Sequence, residues 1–382
     1  MKILNVDLLL NPVYGGGTTE RTYQMSKALV HEGANCVILT TDVGLCEERI
    51  ESLKGVEVVA LHCIFKRFFI VRFSWSKLKK LVASADVAHL MGHWSMLNVL
   101  VYLLALRTGT PYVVCPAGGM PLFGRSRWIK KLFNAAIGYR VVREAAGHIA
   151  VTPDEIPAYE RYGIKAECVT VIPNGVNEDD FQPGGAGAFS RQFGLGNNPF
   201  ILFMGRLNPI KGPDLLLEAF CLVANQFPAY HLVFAGPDAG LLTSLQQITK
   251  ERGIGNRVHF VGYIAAQDKA NAYHEADFLV IPSRQEAMSI VVLEAGVCGT
   301  PVLLTDCCGF TEVDTIGGGR VVQATVSGLA EGLGYLMCRQ TNLAEMGESL
   351  RYFVRNNFTW DLICLRYLNL YRQIAIKKTC RR

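Results

Sequence analysis

The chain has 382 residues, 50% of them hydrophobic and 19% charged, with a net charge of +5. This length suggests two domains of ordinary size, and the composition excludes a disordered chain. The positive excess lies in the first 175 residues, with 20 Lys and Arg against 14 Asp and Glu; the remainder carries 18 against 19. With no nucleic-acid-binding motif beside it, that excess points to a membrane surface or an anionic acceptor, not to nucleic acid.

In chain order, the opening MKILNVDLLL has Asn5 and Asp7 within its apolar run and reads as a buried strand rather than a signal peptide. Strands are predicted at 2–10, 36–40, 56–61, 86–90, 111–115, 148–152 and 168–172, with helices such as 18–32 and 96–108 between them. Strands separated by helices imply a parallel sheet with crossover helices. The run Met96–Leu106 is too short to span a bilayer, which needs about 20 apolar residues. A loop rich in Pro and Gly, Phe181–Gly187, precedes a second series of strands at 200–204, 231–235, 258–261, 278–281, 301–304 and 320–322. Two doubly wound domains follow, and such sheets bind ligands beyond the carboxyl ends of their strands. The 12 cysteines include the adjacent pair Cys307-Cys308 but no CxxC or zinc-ligand spacing, and read as small buried hydrophobes in a reducing compartment.

The most informative segment is PSRQEAMSIVVLEAGVCGTPVLLTD, residues 282–306. Glu286 follows the strand Phe278–Ile281, and Glu294 lies within a helix starting near Met288 or Ser289. A carboxylate at a strand's end can accept hydrogen bonds from sugar hydroxyls. The first amides of a helix lack internal partners and favour a phosphate. Backbone N–H groups of Met288, Ser289 and Ile290 suit that role, and Glu294, one turn further in, suits a ribose. The spacing fits a nucleoside diphosphate-sugar. Arg206 and Lys211 follow the strand Phe200–Met204 and can neutralise a diphosphate leaving group, although isolated surface cations are common. Gly15, Gly16 and Gly17 follow the first strand and permit close approach to a phosphate, or simply a surface turn. They form neither GxGxxG nor a P-loop. No Asp-x-Asp reads as a metal site.

The two glutamates and the seven residues between them resemble the signature of the retaining glycosyltransferases of family 4, which have the GT-B fold. The resemblance runs through the chain in order: NPVYGGG (11–17), VTVIPNGVNEDDF (169–181), FILFMGRLNPIKGPDLLLEAF (200–220), HLVFAGP (231–237), VHFVGYI (258–264) and FTWDLICLRYLNLYRQI (358–374). It implies two Rossmann-like α/β domains facing a central cleft. These are an acceptor domain at 1–175, a nucleotide-sugar domain at 176–357 and a closing helix at 358–382 that packs back towards the first domain. It implies a catalytic set of Glu286, Arg206 and Lys211, with the glycine loop approaching the donor from the opposite domain and Tyr263 and Ile264 flanking the base. Where relatives carry His-x-His, this chain reads DVAHLMGHW (86–94), with Met91 at the second position. His93 is then the cleft candidate and His89 a core histidine. Cys115–Met120 resembles a Ser-Pro-x-Gly-Met loop with one extra glycine and is expected to shape the acceptor pocket.

The expected activity is retaining transfer of a sugar from a UDP- or GDP-linked donor to an acceptor hydroxyl of a glycan or lipid-linked glycan. The donor is a substrate, and no cofactor or metal is expected. The resemblance also implies cytoplasmic surface-polysaccharide assembly, peripheral to the inner face of the cell membrane. Two basic-aromatic stretches fit an anionic membrane surface: Ile64–Phe73 with Trp75, Lys77, Lys79 and Lys80, and Arg125, Arg127, Trp128, Lys130, Lys131 and Phe133. Such patterns also describe an amphipathic helix with a solvated face, or a strand edge with its loop. Rival readings are a GT-B epimerase, a Rossmann oxidoreductase, which the absent dinucleotide fingerprint disfavours, and a non-catalytic sugar-nucleotide binding protein.

Overall fold

A computed structural model describes residues 1–11, 13, 15–121, 127–264, 266–339 and 342–379. Tyr14 of the glycine loop and Arg125 of the second basic stretch lie outside the described residues. The chain forms two compact units. One comprises Met1–Gly175 and Trp360–Arg382, the other Val176–Thr359.

The first unit contains β1 (Lys2–Val6), β2 (Asn35–Thr41), β3 (Glu57–Leu61), β4 (Cys63–Phe65), β5 (Ile70–Val71), β6 (Val87–Met91), β7 (Tyr112–Cys115), β8 (Gly147–Ala150) and β9 (Val169–Val171). Seven of these strands form a parallel sheet in the order β3-β2-β1-β6-β7-β8-β9. Helices cover the faces, so β6 and β7 are buried throughout and read as continuous apolar runs. The first strand ends at Val6, short of the expected Leu10. Beyond it, the Leu8 and Leu9 carbonyls accept side-chain hydrogen bonds from Thr41 and Thr19, which replace the ladder. The helix Gly16–His31 begins two residues earlier than expected, and the helix Trp360–Thr379 packs against it. Between them Arg21 is fully buried. Its guanidinium donates to Tyr367 Oη at 2.9 Å, Asn174 Oδ1 at 2.7 Å and the Ile172 carbonyl at 2.7 Å.

The periodicity did not disclose the antiparallel hairpin β4–β5, which departs from the parallel sheet. It exposes Ile64, Phe65, Phe68 and Ile70, and Phe69 at its turn has φ +49°. Phe73 and Trp75 are exposed as the chain enters the helix Trp75–Ser84, which buries Leu78 and Val82 and exposes Lys77, Lys79 and Lys80.

The second unit contains β10 (Phe200–Met204), β11 (His231–Ala235), β12 (Val258–Gly262), β13 (Phe278–Ile281), β14 (Val302–Thr305) and β15 (Gly319–Val322). All six are parallel, in the order β12-β11-β10-β13-β14-β15. The order reverses between β10 and β13, where Ile201 lies beside Phe278 and Phe203 beside Val280. In open parallel sheets such a reversal of strand order is the usual ligand site, beyond the carboxyl ends of the strands. The core beneath it joins Phe203, Phe234, Phe220 and Phe278 to Leu303 and Leu333. Two doubly wound parallel sheets are therefore present. Among the described residues no helix is long and apolar enough to cross a membrane.

Candidate functional site

Three loops gather at the β10–β13 junction of the second unit. The loop after β10 carries Arg206 and Lys211, the loop after β13 carries Glu286, and the loop after β14 carries Cys307 and Cys308. The first two meet at Gly212, where φ is +69° and an added Cβ would lie 2.0 Å from the Pro282 carbonyl oxygen. Only glycine permits that backbone and that approach. Arg284 ties the same loops. Its guanidinium forks onto Asp214 at 2.8 and 2.6 Å and donates to the Pro209 carbonyl at 2.6 Å, while its amide donates to the Ile210 carbonyl. The Asp214 carboxylate holds the Arg284 guanidinium above its ordinary pKa.

This tethering brings Lys211 to Glu286, with Nζ 2.8 Å from Oε1. The Glu286 side chain is 9% exposed and that of Lys211 27%. The same Oε1 accepts from Ser283 Oγ, and the Glu286 amide donates to the Cys307 carbonyl at 2.9 Å. The third loop is pinned in turn. Thr305 Oγ1 donates to the Ser283 carbonyl at 2.5 Å, and the Cys308 thiol points at the Ile281 carbonyl. Burial pushes that thiol up to about 12, so it remains protonated. Arg206 is exposed, and among the described residues its guanidinium has no hydrogen-bond or ion-pair partner.

The helix Ile290–Cys298 starts beyond Glu286, one or two residues later than expected, with Ser289 as its N-cap. Of the amides expected at its start, that of Ser289 is engaged by the Cys308 carbonyl at 3.3 Å, which corrects its assignment as a free donor. Met288 is buried. Ile290 and Val291 occupy the first turn, whose amides have no acceptor within the helix. The Ser289 hydroxyl is fully buried and has no hydrogen-bond partner among the described residues. Leaving such a group unmade costs about 1–3 kcal/mol, which a ligand oxygen could recover.

Glu294 sits in this otherwise apolar helix, 4% exposed. Lys269 Nζ lies 2.5 Å from its Oε1, and Tyr273 Oη donates to its Oε2 at 2.6 Å. Both partners come from the helix Ala266–Glu275, which follows β12 through Tyr263 and Ile264. Tyr263 is 46% exposed and Ile264 is buried. Sequence reasoning missed Lys269, Tyr273 and Arg284. The only available signal was the four-residue spacing of Lys269 and Tyr273, which puts them on one helical face.

In the first unit, the sheet order reverses between β1 and β6, and the remaining expected residues lie in the segments after those strands. The Gly15 amide donates to the Asn11 carbonyl at 2.9 Å, and a Cβ on Gly15 would lie 2.0 Å from Thr19 Oγ1. Gly16 has φ +67° and Gly17 is exposed in the first helical turn. His93 follows β6 but is only 6% exposed, so the expected cleft histidine is an interior one. Its Nε2 lies 2.8 Å from Asn134 Oδ1 and 3.0 Å from Tyr162 Oη, and its ring packs edge-on against Trp94 and Phe133. Burial, with the Lys130 charge adding, holds its pKa below the ordinary histidine value. His89 is fully buried; its Nδ1 meets Tyr371 Oη at 2.7 Å, and its Nε2 is unpartnered among the described residues. The loop Pro116–Met120 is held by Glu155, which accepts from the Gly118 amide, and by the Trp94 indole donating to the Gly119 carbonyl. Within that loop Ala117 has φ +47°. Among the described residues no group of three or more His, Cys, Asp or Glu could hold a metal ion.

Residues 16–175 match the model of the glycosyl transferase 4-like domain, and residues 188–352 match that of glycosyl transferases group 1. A D-inositol 3-phosphate glycosyltransferase of Geodermatophilus obscurus is 31% identical over 246 residues, covering 58% of this chain and 54% of that protein. The chain thus spans about half the length of such relatives. The crystal structure of Anabaena Alr3699/HepE in complex with UDP and glucose aligns over 100% of both chains, with a TM-score of 0.78 at 19% identity. The structure of WaaG, a glycosyltransferase involved in lipopolysaccharide biosynthesis, aligns over 98% of both, with a TM-score of 0.69 at 18% identity. These structural likenesses concern the fold. With one family model on each unit and two parallel sheets of matching architecture, the chain has the GT-B fold, its first unit carrying a glycosyl transferase 4-like domain and its second a glycosyl transferases group 1 domain.

Proposed function

We propose that this protein is a retaining glycosyltransferase that transfers a sugar from a UDP- or GDP-linked donor to an acceptor hydroxyl. The observation that carries the reading is the set at the β10–β13 junction. Glu286 is paired with Lys211 ahead of a helix start, and Glu294 is held inside that helix. Glu286 accepts from hydroxyls of the donor sugar. The diphosphate lies against the first-turn amides, with Lys211 and Arg206 as counter-charges, and Glu294 takes the ribose. When the bond from the anomeric carbon to the diphosphate breaks, negative charge grows on the leaving oxygen. Aimed donors at that position are the largest electrostatic contribution available to the protein. The acceptor oxygen attacks from the same face and yields its proton to the departing phosphate, so no protein nucleophile or catalytic histidine is needed. The UDP and glucose named for the HepE complex support a nucleotide-sugar site in this fold. Calorimetry with UDP, GDP and ADP tests the donor site, and proton NMR of the product anomer tests retention. Absence of binding to both UDP and GDP would refute the reading. Turnover without acceptor that inverts a sugar centre would favour the epimerase.

The acceptor is proposed to be a lipid-linked glycan in cell-surface polysaccharide assembly, met at the cytoplasmic face of an anionic membrane. The hairpin β4–β5 and its following helix support this. Six large hydrophobic side chains are exposed there among Lys66, Arg67, Arg72, Lys77, Lys79 and Lys80, and no Asp or Glu stands between Glu57 and Asp86. Rings that enter a headgroup layer and cations that meet anionic lipid suit an interfacial anchor. The name of the inositol-phosphate relatives supports a soluble phosphorylated polyol instead. Assays with D-inositol 3-phosphate and with a polyprenyl-diphosphate glycan separate the two acceptors.

A further inference from the structure

Glu294 poses a physical problem that the proposed reading leaves open. A carboxylate almost fully buried in an apolar helix needs a counter-charge. If it also takes a ribose, it lies in the same site as a diphosphate, which would repel an unpaired negative charge.

We propose that Lys269 and Tyr273 are positioning residues for nucleotide recognition: they fix Glu294 for the ribose diol and cancel its charge towards the diphosphate. The inference rests on the donor site proposed above. Lys269 and Tyr273 are four residues apart on the helix Ala266–Glu275, and each takes a different oxygen of Glu294, at 2.5 and 2.6 Å. With one donor on each oxygen the carboxylate cannot rotate, and an ionised carboxylate keeps about two further lone-pair sites for ligand hydroxyls. Tyr273 is fully buried, and burial with the Glu294 charge keeps its phenol protonated, so it is a constant donor. The Lys269 side chain remains 26% exposed, at the edge of the pair rather than sealed beneath it. Its ammonium also lies 5.5 Å from the centre of the Phe181 ring, and that ring stands edge-on to Tyr273 at 6.0 Å. The lysine is thus steered by a second element of the same unit. Glu286 and Glu294 then share one design, each a carboxylate neutralised by a lysine from a neighbouring segment.

The test is calorimetry on the full chain with UDP and GDP and with their 2′-deoxy and 3′-deoxy forms. The wild type should prefer at least one ribonucleotide over a deoxy form by about tenfold, the worth of a hydrogen bond to a charged group. Lys269→Met should weaken ribonucleotide binding by about tenfold or more and shrink that preference to under about threefold, with Lys269→Arg restoring most of it. Tyr273→Phe, which removes one oxygen and keeps the ring, should shrink the preference in the same way and serves if the Lys269 variant does not fold. An unchanged preference in a folded Lys269→Met or Tyr273→Phe variant overturns the inference: the contacts are then structural only. If the wild type binds nucleotides but does not distinguish ribo from deoxy forms, the inference falls and the diphosphate site stands. If the wild type binds none of them, the donor reading itself falls.

Discussion

Lys211 Nζ lies 2.8 Å from Glu286 Oε1, so the cation proposed for the leaving diphosphate and the carboxylate proposed for the sugar hold each other. The pairing follows from backbone geometry. The left-handed Gly212 lets the β10 loop touch Pro282, and Arg284 locks that contact. Removing either partner should therefore do two things: delete a proposed ligand contact and leave the other charge partly buried.

That double effect separates Lys211 from Arg206. Arg206→Ala should lower turnover by about 10²-fold with no change in melting temperature, since its guanidinium has no protein partner among the described residues. Lys211→Ala should lower turnover at least as much and also destabilise the fold by about 1–3 kcal/mol, the cost of an unsatisfied polar group. Steady-state rates and thermal melts check both; wild-type rates in both variants would remove them from the site.

Arg284 should act without touching the donor. Arg284→Ala frees the loop bearing Lys211 and should reduce kcat by about tenfold or more, since small misplacement of a catalytic group is costly. Arg284→Lys should recover little, because an ammonium cannot fork onto Asp214 and also reach the Pro209 carbonyl. Full activity in the lysine variant would show that charge alone suffices.

The two glutamates should separate by assay. Glu286→Gln should retain nucleoside diphosphate binding and lose sugar transfer, whereas Glu294→Gln should weaken nucleoside diphosphate binding directly. Calorimetry with the bare nucleotide discriminates them, and intact affinity in the Glu294 variant contradicts the ribose assignment.

Acid should destabilise the protein. Burial and the nearby Arg21 charge bring His89 down to about 3, and burial lowers His93 and His148 as well. These groups stay neutral when folded but gain protons when unfolded. Their contribution is therefore complete above about pH 6.5 and is lost as pH falls towards 3, by up to about 1.4 kcal/mol per pH unit for one fully shifted histidine. Two buried carboxyls oppose this. Burial raises Asp7 to about 6 and raises Glu155, and each binds its proton more tightly when folded. Burial likewise lowers His231 and His259 and raises Asp277, so five histidines stand against three carboxyls and the thermal midpoint should fall between pH 7 and pH 5. A midpoint that rises over that range would mean that the carboxyls dominate.

The protein should sediment with anionic liposomes at low salt through its first unit and release as salt rises, because screening weakens surface charges. Replacing Lys66, Arg67, Lys79 and Lys80 with Ser should reduce co-sedimentation while sparing nucleotide affinity. Indifference of the wild type to such liposomes would end the membrane proposal and leave the basic excess to a soluble acidic acceptor.

The sequence by itself determined the two parallel sheets, because buried parallel strands are written as short apolar runs whose period is local. β10 and β13 fall where 200–204 and 278–281 were expected. It also determined the helix after Glu286 to within two residues, since that signal too is local. The tertiary structure alone decided which charges meet. Lys269 reaches Glu294 across 25 residues and Arg284 reaches Asp214 across 70, and neither partner is implied by spacing along the chain. It decided as well that His93 turns inward to Asn134 and that residues 63–71 leave the sheet as a hairpin. Local propensity sets how a segment coils, but the partners of a buried charge are chosen by whichever distant segments the packed core brings within hydrogen-bond reach.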